Sequence, residues 1–467
     1  MFPLPHSVFE GVRFPAVPQT QAAVLLAIQE QLAASQYWPA VEMRARQFEQ
    51  IGELIAHIDR SVPYYGVSLR KAGVRPGQPI TEEAWRRVPI LTRRAAQDGN
   101  DQLFARQTPP SHGSLGDNTT SGTSGMPVRL RQTRLHHLFW QSFVLRDEVW
   151  HRRDLGATIL GIRRDDQRRD LSGAVHIRRM PDWGAPVSTV YPTGPSLVLD
   201  YRSTVADQVE VVRRERPAYL TVYPSLLLEL LRHCRENGVA FEGLRGVRTV
   251  LEVLAPEVRQ LCREVLGVGV TDVYSCGEAG YLAIQCPEHR AYHLQQENVL
   301  IEILDDAGAP CAPGAVGRVV VTTLHNFAMP LLRYELGDLA EVGEPCPCGR
   351  TLPVIARIVG RARDMLTLPD GAKRYPFYGH SAMMSVRAIR QHQLVQKSLT
   401  EIEIRLVVSH PLSAAEEARI REAAIAGLGH PFEITLAYTD EIKRDASGKY
   451  AEFRSEIAAA NAPRPPG

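Results

Sequence analysis

Apolar side chains recur at helical spacing through residues 19–60, where Val24, Leu25, Ile28 and Leu32 fall on one face, until Pro63-Tyr64-Tyr65 interrupts the pattern. From about 155 to 275 the period alternates. Residues 218–223 (Ala-Tyr-Leu-Thr-Val-Tyr) predict a buried strand, and Pro224 then opens a helix carrying Leu227, Leu230 and Leu231, because proline is tolerated at a helix start. Residues 247–253 and 271–274 predict two further strands, with a helix from about Pro256 between them. Strand–helix alternation of this kind implies a doubly wound α/β layer built on a mainly parallel sheet.

The texture changes after about residue 294. Residues 299–304 and 318–324 are strand-like and flank the turn-rich Asp305-Asp306-Ala307-Gly308, which predicts a more antiparallel β unit. A second change near residue 361 leads into a strand at 401–408, a helix at 414–428 and a strand at 433–438, a small α+β unit. The tail 462–467 is expected to fray. No repeat or low-complexity segment is present. The expected organisation is a large domain over 1–361, of doubly wound α/β layers plus a β-rich subdomain, and a small mobile C-terminal α+β domain over 362–467.

At 467 residues, 44% hydrophobic and 23% charged, the chain can bury a sizeable core. A net charge of +2 lacks the basic excess of a nucleic-acid binder. Local arginine clusters, Arg152-Arg153 and Arg163-Arg164 with Arg168-Arg169, read as solvated faces. The start has no basic region followed by an apolar core, and the apolar run at 22–28 is too short to span a bilayer. Seven cysteines, two of them Cys346 and Cys348, suit thiols or metal ligands rather than a disulfide framework. A cytoplasmic location and no membrane or nucleic-acid partner are expected.

The densest chemical signal is Thr119-Thr120-Ser121-Gly122-Thr123-Ser124-Gly125. Glycines let backbone N–H groups converge and hydroxyls add donors, which suits phosphate oxygens, although a flexible linker has the same composition. No lysine follows Gly122 or Gly125 as a P-loop requires, and Gly122-Thr123-Ser124-Gly125 is one residue short of a nucleophile elbow.

Four later segments give the loop a context: Tyr274-Ser275-Cys276-Gly277-Glu278 after one predicted strand, Arg333-Tyr334-Glu335-Leu336-Gly337-Asp338-Leu339 after another, Ile358-Val359-Gly360-Arg361-Ala362-Arg363-Asp364 at the second change of texture, and Ser447-Gly448-Lys449 near the C-terminus. In that order the set resembles the adenylate-forming superfamily of acyl-CoA synthetases, adenylation domains and luciferases. Within it, Ser61-Val62-Pro63-Tyr64-Tyr65, Val88-Pro89-Ile90-Leu91-Thr92 and Cys346-Pro347-Cys348-Gly349-Arg350 look most like the phenylacetate–CoA ligase and capsule-biosynthesis-like branch.

The resemblance implies roles position by position. Residues Thr119 to Gly125 would hold the β- and γ-phosphates of ATP. Tyr274 would pack on the adenine, Glu278 would help hold Mg²⁺, and Asp338 would accept hydrogen bonds from the ribose, with Arg357 or Arg361 near ribose and phosphate. Asp364 would be the hinge, and Lys449 would stabilise the adenylation transition state. Read alone, Tyr274 is equally a core aromatic, Asp338 a turn cap and Lys449 a solvated turn lysine. The sequence departs from the family pattern at Met126-Pro127, where relatives often carry lysine, and at Leu368-Pro369-Asp370-Gly371, where many have a glycine-rich turn.

Cys286, His293, Cys346 and Cys348 offer three thiolates and one imidazole for a closed structural zinc site, as relatives in the branch do, with His289 a rival ligand and free thiols the alternative. The reaction implied is ATP-dependent activation of a carboxylic acid, aryl or arylacetic by resemblance, to an acyl-adenylate with release of pyrophosphate. Transfer to a thiol follows, coenzyme A first, with a carrier-protein thiol or an amine as alternatives. A phosphoryl transferase and a non-enzymatic zinc-stabilised binder are the other classes kept open. Tyr223, Ser225 and Cys276, at or after strand ends, are candidate pocket walls, where α/β sheets bind ligands. A homodimer is also open.

Overall fold

A computed structural model describes residues 3–119, 128–165, 175–361, 365–374, 376, 383, 386–444 and 450–457. The chain divides into two compact units, one comprising Met1–Leu254 with Val258–Ile358 and the other Ala255–Glu257 with Val359–Gly467.

The large unit opens on two helices, Thr20–Ser35 and Ala40–Ser61, where the apolar period read as one continuous helical run. Pro39 divides them, since its ring clashes with the preceding turn and it has no N–H to donate. The second helix buries Met43, Gln47, Ile51, Leu54, Ile55 and Ile58, a stripe at three- and four-residue spacing. The proline–tyrosine segment staples these helices to the sheet: the Tyr65 hydroxyl donates to the Pro330 carbonyl at 2.9 Å and accepts from the Leu332 N–H at 3.2 Å.

A hairpin, β1 (Leu115–Thr119) and β2 (Arg129–Thr133), precedes the main sheet. The sheet itself has twelve strands: β3 (Ile159–Arg163), β4 (Ile177–Met180), β5 (Ser196–Asp200), β6 (Tyr219–Val222), β7 (Gly246–Thr249), β8 (Val270–Cys276), β9 (Gly280–Gln285), β10 (Tyr292–Leu294), β11 (Val299–Leu304), β12 (Val316–Thr323), β13 (Tyr334–Val342) and β14 (Val354–Arg361). Their spatial order is β11-β12-β13-β14-β10-β9-β8-β7-β6-β3-β5-β4. Strands β5, β3, β6, β7 and β8 are parallel, and β4 is an antiparallel edge.

The α/β layer expected from the alternating pattern is present, with helices Val205–Glu215, Pro224–Asn237 and Pro256–Leu266 as crossovers. The β-rich region is a continuation of the same sheet. After β8 the chain reverses at Gly277 into antiparallel β9, and from there to β11 neighbouring pairs with a described register are antiparallel. Because β3 lies between β5 and β6, the direction of winding reverses there and leaves a crevice at the carboxyl ends of β3 and β6.

One strand expectation is corrected. The segment 247–253 ends as a strand at Thr249, because Leu251 takes a positive φ of 72° and turns the chain away. The Arg333–Leu339 motif follows β12 and, from Tyr334 onward, is itself the strand β13.

The small unit holds a four-stranded sheet in the order β19-β18-β17-β20, made of β17 (Ile389–Gln396), β18 (Glu401–Val408), β19 (Glu433–Tyr438) and β20 (Phe453–Ser455), with a two-strand ribbon of β15 (Leu366–Thr367) and β16 (Lys373–Arg374). Helix Ala414–Leu428 begins with a capping box, Ser413 and Glu416 satisfying each other's backbone N–H, and packs Ile420, Ala424 and Leu428 against Ile402, Ile404 and Leu406. Among the described residues no helix is long and apolar enough to cross a membrane.

Candidate active site

Strand β8 delivers Tyr274 and Cys276, and the turn to β9 carries Glu278. That turn is tight at Gly280, which has a φ of 76° and where an added Cβ would lie 3.4 Å from the Trp140 ring. The pairing of β8 with β9 shifts register beside Tyr274. On β13, Arg318 of β12 faces Leu339 while Val320 faces Glu335, so β13 bulges through Leu336, Gly337 and Asp338. Gly337 takes the φ of 80° that the bulge needs. Bulges re-aim side chains. Here the bulge brings the Asp338 carboxylate to the Tyr274 hydroxyl, which donates to it at 2.9 Å. The Tyr274 ring is itself buried in the main core, so its hydroxyl is the part presented to the site.

Arg93, Tyr334, Gln132 and Asn326 complete the arrangement, and sequence reasoning did not single them out. Leu91 pairs with Tyr334, its N–H donating to the Arg333 carbonyl at 2.9 Å and its carbonyl accepting from the Glu335 N–H at 3.0 Å. Thr92 then caps the next helix at the Ala95 N–H, and Arg93 at its first position reaches Glu278 at 3.8 Å. The signal was present: Arg93 directly follows the Val88–Thr92 motif. Glu278 is only 7% exposed, so its carboxylate is held in low-dielectric surroundings beside a cation.

The hairpin bears the phosphate-loop candidate. Thr119 ends β1 and faces Arg129, while Thr120, Ser121, Gly122, Thr123, Ser124 and Gly125, with Met126 and Pro127, lie outside the described residues. Arg131 makes two bonds to Asp117 across the hairpin, at 2.8 and 2.9 Å. The base of the hairpin is tied to the site: Gln132 donates to the Gly277 carbonyl at 2.8 Å, and Asn326 donates to the Arg131 carbonyl at 3.1 Å. The loop therefore starts from a frame bonded to the turn that carries Glu278.

The wall candidates lie at the carboxyl ends of two parallel strands, β6 and β8. Tyr223 follows β6, buried, with its ring 6.0 Å from that of Tyr201, and burial raises its phenol pKa. Ser225 donates its N–H to the Glu252 carboxylate at 3.0 Å, so Glu252, after the turn at Leu251, caps that helix. Cys276 ends β8. Burial first, then the charges of Glu278 and Asp338, push its thiol well above the ordinary value. A thiol so held stays protonated, which suits a wall and not a nucleophile.

Arg357 pairs with Glu341 at 2.6 Å, and Arg361 ends β14. Asp364 and Lys449 lie outside the described residues.

Cys286, His293, Cys346 and Cys348 converge, with their ligand atoms all within 4.8 Å of one another. Cys286 follows β9, His293 lies in β10, and the other two lie on the loop between β13 and β14. The Cys346 and Cys286 sulfurs are 3.7 Å apart, and the Cys348 sulfur is 3.3 Å from Nε2 of His293. A zinc tetrahedron with arms of about 2.3 Å has edges of about 3.8 Å, so the spacing fits one ion. Nδ1 of His293 faces the Leu352 carbonyl at 3.4 Å, which leaves Nε2 as the lone pair turned to the sulfurs. Burial lowers the His293 pKa to about 4, keeping the ring in its neutral, ligating form. His289, the rival ligand, is exposed on the turn beside Glu288 and is not among these atoms.

A family profile described as the CapK C-terminal domain matches residues 377–455. The phenylacetate–coenzyme A ligase of Thermus thermophilus is 29% identical over 80% of this chain and 83% of its own length, and that of Pseudomonas putida is 21% identical over 87% and 91%. The 2-hydroxyisobutyryl-CoA ligase, solved in the postadenylation state with an acyl-AMP, shares the fold with a TM-score of 0.70 at 20% identity, over 96% of this chain and 97% of that one.

The chain is thus similar to the phenylacetate–CoA ligase and capsule-biosynthesis-like branch of the adenylate-forming superfamily, as its motifs led us to expect. The Tyr274–Asp338 pair, the Glu278 turn and the hairpin base meet at the junction of the parallel and antiparallel halves of the sheet. The Arg152-Arg153 cluster, read as a solvated face, divides: Arg152 is exposed, but Arg153 is buried between Asp147 and Glu148, at 3.0 and 2.8 Å.

Proposed function

We propose that this chain activates a carboxylic acid, aryl or arylacetic in character, with ATP to an acyl-adenylate and pyrophosphate, and then passes the acyl group to the thiol of coenzyme A with release of AMP. The observation that carries this reading is the bulge-held Asp338, bonded to Tyr274 on the strand whose following turn carries Glu278 and is itself bonded to the hairpin that begins the glycine-, serine- and threonine-rich loop.

A carboxylate is already ionised near neutral pH and needs no base to attack phosphorus. The barrier is electrostatic, since two anions must meet. The residues divide that task. Asp338, oriented by the Tyr274 hydroxyl, accepts from the ribose hydroxyls. The loop from Thr119 to Gly125 supplies backbone and hydroxyl donors to the phosphates, without the lysine that relatives often place near Met126. Glu278, buried beside Arg93, would hold Mg²⁺, a hard cation that takes oxygen ligands and neutralises phosphate charge. Lys449 stabilises charge on the α-phosphate during adenylation, and Asp364 is the hinge between a large domain ending near 361 and the small domain after it. Cys276, protonated, and Tyr223 line the pocket for the acid. The four-ligand cluster holds a structural zinc. With no open position it stabilises the segments after β9 and β13 and takes no part in the chemistry.

Pyrophosphate exchange over a panel of aryl, arylacetic, fatty and amino acids tests the reading. An aryl or arylacetic acid should drive exchange, and coenzyme A should then release AMP. Silence with every acid would sink it, and exchange with no coenzyme A-dependent AMP release would move the acceptor to a carrier-protein thiol or an amine. Lys449→Ala should cripple adenylation far more than thioester formation from a supplied acyl-adenylate; equal losses would remove its assigned role.

A further inference from the structure

The opposite end of the parallel sheet holds a second cavity, of about 260 Å³. Its lining includes Ile159, Tyr219, Gly246 and Val270, the first residues of β3, β6, β7 and β8. It therefore lies at the other ends of these strands from Tyr223 and Cys276. Six arginines line it: Arg153, Arg245, Arg248, Arg259, Arg263 and Arg290.

Three of these guanidinium groups are balanced. Arg153 and Arg248 share the buried Asp147 and Glu148, and Arg245 pairs with Asp154 at 2.6 Å. The other three have no ion pair among the described residues. Arg259 donates only to neutral oxygens, the Val270 carbonyl at 2.7 Å and the Tyr292 hydroxyl at 3.1 Å. Arg263 and Arg290 have no side-chain bond among the described residues and are exposed at the rim. His151 adds an independent sign. Its side chain is 7% exposed, Nδ1 is 3.0 Å from Asp147, and Nε2 is buried with no hydrogen-bond partner among the described residues. A small turn of the ring toward the cavity would bring that nitrogen within reach of a proton-bearing phosphate oxygen, which satisfies it in either ring state by donating to its lone pair or accepting its N–H.

We infer that this cavity is a binding site for a small multiply charged oxyanion, a phosphate or pyrophosphate group, separate from the nucleotide site. Planar guanidinium forks suit such oxygens, and the volume lies below the roughly 300–1,000 Å³ of pockets for drug-sized ligands. Cys286 and Pro287 form one wall, so a bound anion would also brace the segment leading to the cysteine–histidine cluster.

The test is direct binding of inorganic pyrophosphate, orthophosphate and AMP to the full chain, by calorimetry and by thermal shift, with no activity readout. Three variants are compared: Arg263→Gln/Arg290→Gln, which removes two unpaired rim charges; Arg46→Gln/Arg213→Gln, which removes two exposed charges elsewhere; and Glu278→Gln in the proposed nucleotide site. The rim variant should weaken the apparent Kd for at least one inorganic anion about ten-fold or more, with Arg46→Gln/Arg213→Gln like wild type and Glu278→Gln retaining the binding that the rim variant loses. AMP binding as tightly as the inorganic anions, with the same loss, would make the ligand an organic phosphate. The inference is overturned if no anion binds saturably up to about 10 mM, if the rim variant binds like wild type, or if only Glu278→Gln abolishes binding. Failure here leaves pyrophosphate exchange untouched, so the two readings are refuted separately.

Discussion

Acidification from about pH 8 to about pH 5 should destabilise the large unit through two histidines near the hairpin. His136, at the start of the helix Arg134–Trp150, is 3% exposed, and burial lowers its pKa from 6.5 to about 4. His325, after β12, stacks on Phe139 with ring centroids 3.5 Å apart, and burial lowers its pKa to about 3. Both nitrogens of His136 and Nδ1 of His325 are buried without a hydrogen-bond partner among the described residues, so the folded state offers a proton no welcome. With folded-state values below the unfolded 6.5, each contributes stability that is present above about pH 6.5 and lost as pH falls. At pH 5 His136 accounts for a loss of about 2 kcal/mol, and His325, whose ring is partly open to solvent, for up to about the same.

Asp272 works the other way. Burial raises its pKa to about 6 despite bonds from Thr249 and Tyr292. Its contribution is present at low pH and lost as pH rises through about 6, so acidification to pH 5 returns about 1 kcal/mol. The histidines therefore win, by about 1–3 kcal/mol. All five tryptophans, Trp38, Trp85, Trp140, Trp150 and Trp183, lie in the large unit, so denaturant titration followed by tryptophan fluorescence reports on it alone. The decisive comparison is His325→Phe, which keeps the stack and removes the titrating group. It should match wild type at pH 8 within about 1 kcal/mol and lose up to about 2 kcal/mol less at pH 5. An unchanged pH dependence in that variant would refute the assignment.

Tyr274→Phe removes the bond to Asp338; a hydrogen bond to a charged acceptor contributes about 1.5–3 kcal/mol, so the KM for ATP should rise roughly ten- to hundred-fold with little change in the unfolding midpoint. An unaltered KM would dissociate the pair from nucleotide binding. Wild-type protein should carry about one zinc per chain by elemental analysis and Cys348→Ser far less, since the serine hydroxyl replaces a soft thiolate; zinc-free wild type would dismiss the site. Gly280→Ala combines a φ of 76° with a Cβ pressed on Trp140, and should cost about 1–3 kcal/mol in the same fluorescence titration.

The sequence by itself determined the elements whose causes are local. Strands Val299–Leu304, Glu401–Val408 and Glu433–Tyr438 and helix Ala414–Leu428 fall where the apolar period and the Ser413–Glu416 cap place them, since periodicity and capping act within a few residues. It also supplied the fold class, the family resemblance and the three cysteines and one histidine that cluster. Tertiary structure alone decided how distant segments meet. That β8 reverses into β9, making one sheet of two textures, depends on pairing between strands. The bulge that turns Asp338 toward Tyr274 depends on the register of β13 against β12. Arg93 reaches Glu278 because Leu91 pairs with Tyr334, some 240 residues away in sequence. His293 and not His289 joins the cysteines, because β10 carries His293 inward while the turn exposes His289. The arginines of the second cavity are scattered along the chain and gather only because parallel strands align their amino ends. Each is a long-range contact, and local periodicity carries no information about which distant partner a segment will find.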